Sequence, residues 1–292
     1  MRPLAVLLYH TISDDPPPWI AHLAVTPRDF RAQLDAILDS GRTPVTAAQV
    51  VAARRGGAPL PPDAVALTFD DGFRDFATVA HPALASRSLP SALFVTTGAV
   101  RPDNRSRLPD ASMLTMRDVT LLDRDGVEIC SHTHMHAQLD TVDQPSVVRE
   151  LVRPKRILED ALGREVPVFA YPYGYSSRTV RALTSANGYT GAFAVRHAFS
   201  PDTDDPYRIA RLMLRCGTSL ATFRGWLEGE LAPIAPAHEY AKTVLWRQYR
   251  RERAFLTHRR AITEETSDSA DSASDKADKS DIAANRAERC AR

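Results

Sequence analysis

Few features that would tie this chain to a covalent, membrane-spanning or strongly charged class are present. There are three cysteines in 292 residues, Cys130, Cys216 and Cys290. They are odd in number, widely spaced and without a CxxC pair, which argues against a disulfide framework and a thiolate zinc site. Reduced, inert thiols are expected. Net charge is nearly absent: 37 Lys+Arg against 36 Asp+Glu leave +1. Such a chain has no global field for nucleic acid or an acidic polymer, and no nucleic-acid partner is expected. No apolar run approaches the ~20 residues that span a bilayer. The first run, Leu4–His10, is short for a signal-peptide core and reads as a buried strand, so a soluble, cytoplasmic protein is expected.

What is present is a βα alternation. Short apolar or β-branched runs recur at Leu4–Tyr9, Ala64–Phe69, Ala92–Thr96, Val127–Cys130, Val168–Tyr171 and Gly191–Val195, with helical periodicity between them. Pro27–Leu38 reads as a helix started by Pro27 after Thr26. Ser146–Leu162 reads as a second, ended by Gly163, with a kink expected at Pro154. This pattern predicts an α/β fold around a parallel sheet, and such folds place their chemistry beyond the C-terminal strand ends. The residues there are His10, Asp70-Asp71-Gly72, Thr96-Thr97-Gly98, Ser131-His132 and Tyr173-Gly174.

After about residue 261 the chain turns to Ser, Asp, Ala and Lys, a composition that cannot bury enough surface to order itself. The expected division is a catalytic domain over 1–235, a basic helix over 236–261 and a disordered tail over 262–292. The basic segment, with Trp246, Tyr249 and Phe255 among arginines, suits either a solvated terminal helix or weak contact with an anionic membrane surface, at the inner membrane face.

Three motifs carry chemistry. In Thr68-Phe69-Asp70-Asp71-Gly72, adjacent carboxylates face two directions, so one can bind a cation while the other takes a proton from water; a helix-capping turn would use the same residues. In His132-Thr133-His134-Met135-His136, the i, i+4 histidines would share one side of a helical turn, with His134 pointing elsewhere. Two imidazoles and a carboxylate make an open N/O site suited to Zn²⁺, with Co²⁺, Ni²⁺ or Mn²⁺ as substitutes. Tyr171-Pro172-Tyr173-Gly174 can present a backbone N–H to an oxyanion, or be an ordinary turn.

Taken in order, the Thr-Phe-Asp-Asp-Gly, His-Thr-His-Met-His and Phe-Ala-Tyr-Pro-Tyr-Gly motifs resemble the polysaccharide deacetylase family, the NodB-homology domain of carbohydrate esterase family four, over about residues 4–215. The resemblance implies a distorted (β/α) barrel of about seven parallel strands. It also implies Asp70 as general base, Asp71, His132 and His136 as metal ligands, and Tyr173 as the source of the oxyanion N–H. The implied reaction removes acetyl groups from N-acetylated carbohydrate; an O-acetyl esterase and a non-catalytic carbohydrate-binding relative are the alternatives.

The chain also departs from the family pattern. No general-acid histidine motif follows Tyr175, and His197, His238 and His258 lie in unrelated contexts. His10, ending the first strand, is instead similar to the permuted arrangement of poly-N-acetylglucosamine de-N-acetylases, and is the candidate acid. Ala170 stands where the family carries an arginine before Pro-Tyr-Gly. Arg211 is the candidate substitute that orients Asp70, with Arg208 competing, because a bidentate guanidinium can hold a carboxylate ionised. The family's Trp-bearing motif is not visible.

Overall fold

The computed structural model describes residues 2–101, 103–237, 239 and 243–254. The chain forms two compact units, divided between His238 and Glu239.

The first unit holds, in order, β1 (Ala5–Tyr9), β2 (Thr11–Ile12), β3 (Ala24–Val25), α1 (Pro27–Asp39), β4 (Thr43–Pro44), α2 (Ala47–Arg54) and β5 (Ala64–Phe69). There follow α3 (His81–Ala85), β6 (Ala92–Val95), α4 (Met116–Arg124), β7 (Glu128–Ser131), α5 (Gln144–Leu162) and β8 (Val168–Ala170). The last elements are α6 (Arg178–Ala186), β9 (Gly191–Phe193), β10 (Leu212–Met213) and α7 (Leu220–Glu228).

Seven parallel strands run in the order β10-β1-β5-β6-β7-β8-β9, and β4 adds beside the start of β5. A parallel bridge from Phe193 to Ile209 then joins the segment leading into β10 to β9, so the two ends of the curled sheet meet. This is the expected distorted (β/α) barrel.

Alternation along the strands sorts side chains onto an outer and an inner face. Leu7, Leu67, Leu93 and Ile129 face outward against apolar residues of α1, α4 and α7, including Phe30, Leu34, Val119 and Phe223. Val6, Ala66, Phe94, Cys130, Ala170, Phe193 and Ile209 face inward, where Val50 and Val51 of α2 join them. Alpha-2 plugs one end of the barrel. Its first N–H groups, Ala47 and Ala48, donate to the Glu128 carboxylate at 2.7 and 2.8 Å, which satisfies donors that a helix start leaves open.

The helices start as their sequences direct. Thr26 accepts from Asp29 N–H ahead of Pro27, and Asp143 accepts from Ser146 N–H ahead of α5. Alpha-5 starts two residues before the expected Ser146, runs through Pro154 and ends at Gly163 with φ 68°. Cys130 is buried and Cys216 exposed, both as free thiols, and burial pushes the Cys130 thiol well up. Cys290 lies outside the described residues.

In the second unit residues 243–254 are helical, Trp246 stacks on Tyr249 at 5.3 Å, and Arg247 donates to Glu239 at 2.8 Å. The expected disordered tail, 262–292, falls outside the described residues. Among the described residues no helix is long and apolar enough to cross a membrane.

Candidate active site

The inward face of the barrel runs directly into the site. In β5 the even positions Ala64 and Ala66 point inside, and the same alternation carries Asp70 to the rim. His10 follows β1 and His132 follows β7 in the same phase. Backbone bonds hold these ends together: Asp70 N–H donates to Tyr9 O at 3.0 Å, and His132 N–H donates to Val95 O at 3.0 Å.

Asp71 Oδ1 lies 3.1 Å from His136 Nε2 and 3.4 Å from His132 Nε2. All three residues are buried, and their ligand atoms lie within 4.8 Å of one another. The Asp71 oxygen is buried without a hydrogen-bond partner. His132 Nδ1 is 2.8 Å from the Ala170 carbonyl oxygen, which can only accept, so the proton sits on Nδ1 and Nε2 is left with a lone pair facing Asp71. Ligand atoms around a tetrahedral Zn²⁺ at about 2.0–2.1 Å sit roughly 3.3 Å apart, close to the two contacts seen here. The residues therefore fit a divalent cation and form a candidate metal site.

The histidines do not converge through a helical turn, as their i, i+4 spacing suggested. Residues 132–136 form a loop in which Thr133 has φ 66° and His136 φ 56°. A β-branched residue at positive φ is a genuine outlier, costing about 1–3 kcal/mol. Three contacts impose it. Glu150 of α5 accepts from His134 N–H at 3.0 Å and Met135 N–H at 2.8 Å, and the Thr133 hydroxyl accepts from His136 N–H at 3.0 Å. On the other side Gly98 N–H donates to His134 O at 2.8 Å, and a Cβ at Gly98 would stand 2.4 Å from that oxygen.

Asp70 is held separately. Arg211 donates from Nη1 to Asp70 Oδ1 at 2.7 Å and from Nη2 to Oδ2 at 2.8 Å, while Nε donates to Ala194 O at 3.2 Å. The Arg211 side chain is fully buried beside Phe94, in an interior that small residues such as Ala66, Ala92 and Ala170 leave open. Burial alone would raise the Asp70 carboxyl, but Arg211 and His132 hold it below its ordinary value. Arg208 is not brought to Asp70; its Nη2 donates to the Ala237 and Pro236 carbonyls.

His10 lies in the same electrostatic neighbourhood. Burial pushes its imidazole down, Asp71 and Asp70 pull it part way back, and its buried Nδ1 has no partner. The turn beyond it is pinned by Asp75, which accepts from the Thr11 hydroxyl and from Ile12 N–H at 3.1 Å. His197, by contrast, packs its ring on Trp226 at 5.4 Å and accepts from Met213 N–H. His238 and His258 lie outside the described residues.

Tyr173 sits in the turn after β8 at φ 60°, ψ 3°. Gly174 makes that turn possible, since a Cβ there would stand 2.2 Å from Val195 N. The Tyr173 ring packs 4.8 Å from the His136 ring and 6.0 Å from the Tyr175 ring, and stays 48% exposed. His134 points away from the pair and is buried: it is 2% exposed, with Nδ1 2.9 Å from the Thr97 hydroxyl, and burial together with Arg153 and Arg101 pushes it down to about 4. Glu150 and Asp75 were not found from the sequence, since an acidic residue on a helix gives no sign of which loop amides it meets.

A parallel barrel with a carboxylate–imidazole cluster at the C-terminal rim of its strands defines a class of rim-site α/β proteins. Within that class, residues 57–192, a little under half of the chain, match the polysaccharide deacetylase family. The Bacillus subtilis (strain 168) protein YxkH is 23% identical over 226 residues, covering 77% of this chain and 76% of that one. The poly-beta-1,6-N-acetyl-D-glucosamine N-deacetylase of Escherichia coli (strain K12) is 41% identical over 69 residues; these are 24% of this chain and only 10% of that enzyme. Among solved structures, the Streptococcus pyogenes deacetylase PplD in complex with acetate superposes with a TM-score of 0.67 at 23% identity, over 80% of this chain and 99% of that one. IcaB from Ammonifex degensii gives 0.63 at 23% identity, over 78% and 98%.

Proposed function

We propose that the protein hydrolyses the acetamido group of an N-acetylated sugar in a polysaccharide, oligosaccharide or glycolipid, using one divalent cation held by Asp71, His132 and His136. Zn²⁺ suits this donor set best, with Co²⁺, Ni²⁺ or Mn²⁺ able to replace it. The single observation that carries the reading is the pairing of two differently held carboxylates. Asp71 faces two imidazole nitrogens, while its neighbour Asp70 is forked by Arg211.

A cation bound there supplies Lewis acidity to the acetyl carbonyl and acidifies the attacking water. Asp70, kept ionised by Arg211, accepts a proton from that water as its oxygen bonds to the acetyl carbon. The Tyr173 backbone N–H donates to the oxygen that becomes negative. His10 then delivers a proton to the sugar nitrogen as the C–N bond breaks, leaving an amine and acetate. Burial lowers the His10 imidazole while Asp71 and Asp70 favour its charged form; it delivers its proton as the imidazolium and regains one from solvent after the amine has left.

The buried His10 Nδ1, which has no hydrogen-bond partner to hold a proton in place, favours a second reading, O-acetyl ester hydrolysis, because an alkoxide leaving group needs less proton assistance than an amide nitrogen. The test is acetate release from N-acetylglucosamine oligomers and from O-acetylated sugars, parent beside Asp70→Asn. Amide-derived acetate from the parent alone supports the proposal. Saturable sugar binding with no acetate from either substrate class, metal being present in the protein, would indicate the non-catalytic relative.

A further inference from the structure

The outer side of the histidine loop forms a wall of a cavity. It has a volume of about 690 Å³ and lies between the loop residues His134 and Met135 and one face of α5. Four arginines line it: Arg149, Arg153 and Arg156, spaced four and three apart on that helix face, and Arg101 opposite. All four are exposed. Two carboxylates share the cavity, Glu150 and Asp160, but Glu150 Oε2 already accepts two loop N–H groups.

Arg149 donates to the Ser146 hydroxyl and Arg101 to Asp103, while Arg153 and Arg156 have no hydrogen bond or ion pair among the described residues. The buried His134, whose Nε2 has no hydrogen-bond partner, stands in the same wall. Val148, Val152 and Ile157 give the same cavity an apolar floor. Planar guanidinium forks with unused donors match the oxygens of a phosphate, and the apolar floor suits the organic body that carries it.

We propose that this cavity binds a phosphate ester, a mono- or diester whose charged group sits among Arg101, Arg149, Arg153 and Arg156. The site lies outside the acetyl-cleaving constellation and does not rest on the deacetylase reading. A bound ester would press on the loop between His132 and His136, because His134 and Met135 form the cavity wall.

The test is calorimetric titration of the full chain with inorganic phosphate and with glycerol 3-phosphate, alongside co-sedimentation with phosphatidylglycerol and phosphatidylcholine vesicles. Saturable binding that weakens with added salt is expected. The double variant Arg153→Gln/Arg156→Gln, at exposed positions, should lower that affinity at least tenfold. The matched variant Arg28→Gln/Arg31→Gln, on exposed α1 positions, should leave it unchanged. Binding of the soluble ester alone assigns a soluble source, and capture by phosphatidylglycerol vesicles alone assigns a lipid headgroup. The proposal is overturned if neither probe binds, if both charge variants lose binding equally, or if binding survives in Arg153→Gln/Arg156→Gln, as it would for phosphate held at the Asp71 cluster.

Discussion

Arg211 grips Asp70 with two parallel hydrogen bonds of 2.7 and 2.8 Å, reaching across 141 positions of sequence to do so. The pair is buried, so removing the guanidinium strands a carboxylate away from water. Arg211→Ala is expected to cost about 3–5 kcal/mol of stability, the usual penalty for breaking a buried pair. It should also raise the Asp70 pKa and move the acid limb of the kcat profile to higher pH. Arg211→Lys keeps the charge but loses the fork, and should fall between. Denaturant midpoints and kcat against pH measure both effects. In the parent, the depressed Asp70 pKa contributes stability that is present above the ordinary carboxylate value and lost as pH falls through the lower folded one.

Asp70→Asn separates proton transfer from ion binding. Cation affinity should change little, because Asp71, His132 and His136 are untouched, while kcat falls by about 10²–10⁴. Parallel metal titration and acetate assays check it.

Without a cation, burial works against a charged His132, but Asp70 and Asp71 outweigh it and raise the imidazole above its ordinary value. A proton and a cation therefore compete for the same ring. Cation affinity should fall steadily as pH drops from 8 to 6. The metal-free protein should behave in the opposite sense: the stability that protonated His132 contributes is full below the unfolded histidine value and is lost as pH rises through the folded one. Thermal melts with and without cation across this window measure both slopes.

His10→Ala should discriminate between leaving groups. Turnover of an N-acetyl substrate should drop by about 10²-fold or more, while an O-acetyl ester should lose far less. Equal losses on both substrates would remove His10 from the role of proton donor.

Glu150→Leu should loosen the histidine loop without touching a ligand. One buried and one part-buried N–H group lose their acceptor, a cost of about 1–3 kcal/mol. Cation affinity should fall about 10–100-fold, as for other groups that orient metal ligands. Titration calorimetry on the variant reads this directly.

The parts legible in the sequence are those that local physics imposes. Buried strands such as Ala64–Phe69 announce themselves by continuous apolar runs, and the Asp70-Asp71-Gly72 turn follows where a strand must end. Beta-10 is invisible by the same logic: it has two residues, and Arg211 in front of it makes a barrel-lining segment look polar. Arg211 could be nominated only because Ala170 left Asp70 without its customary partner. That the inward alternation brings Arg211 to Asp70 is a property of the closed sheet, not of any local pattern.

The histidine pair shows the limit more sharply. Its spacing suggested a helix, and the two rings do face one carboxylate, yet the loop achieves this with left-handed Thr133 and His136 held by Glu150 and Gly98. No local rule foretells a strained backbone whose supports arrive from other elements.

The central claim is that Asp71, His132 and His136 hold one divalent cation. Calorimetric titration of the chelator-treated protein with Zn²⁺ tests it most directly. The account predicts one ion per chain, binding that collapses in His132→Ala and in His136→Ala, and binding that persists in Asp70→Asn. No saturable binding, or parental affinity retained when either imidazole is removed, would contradict it.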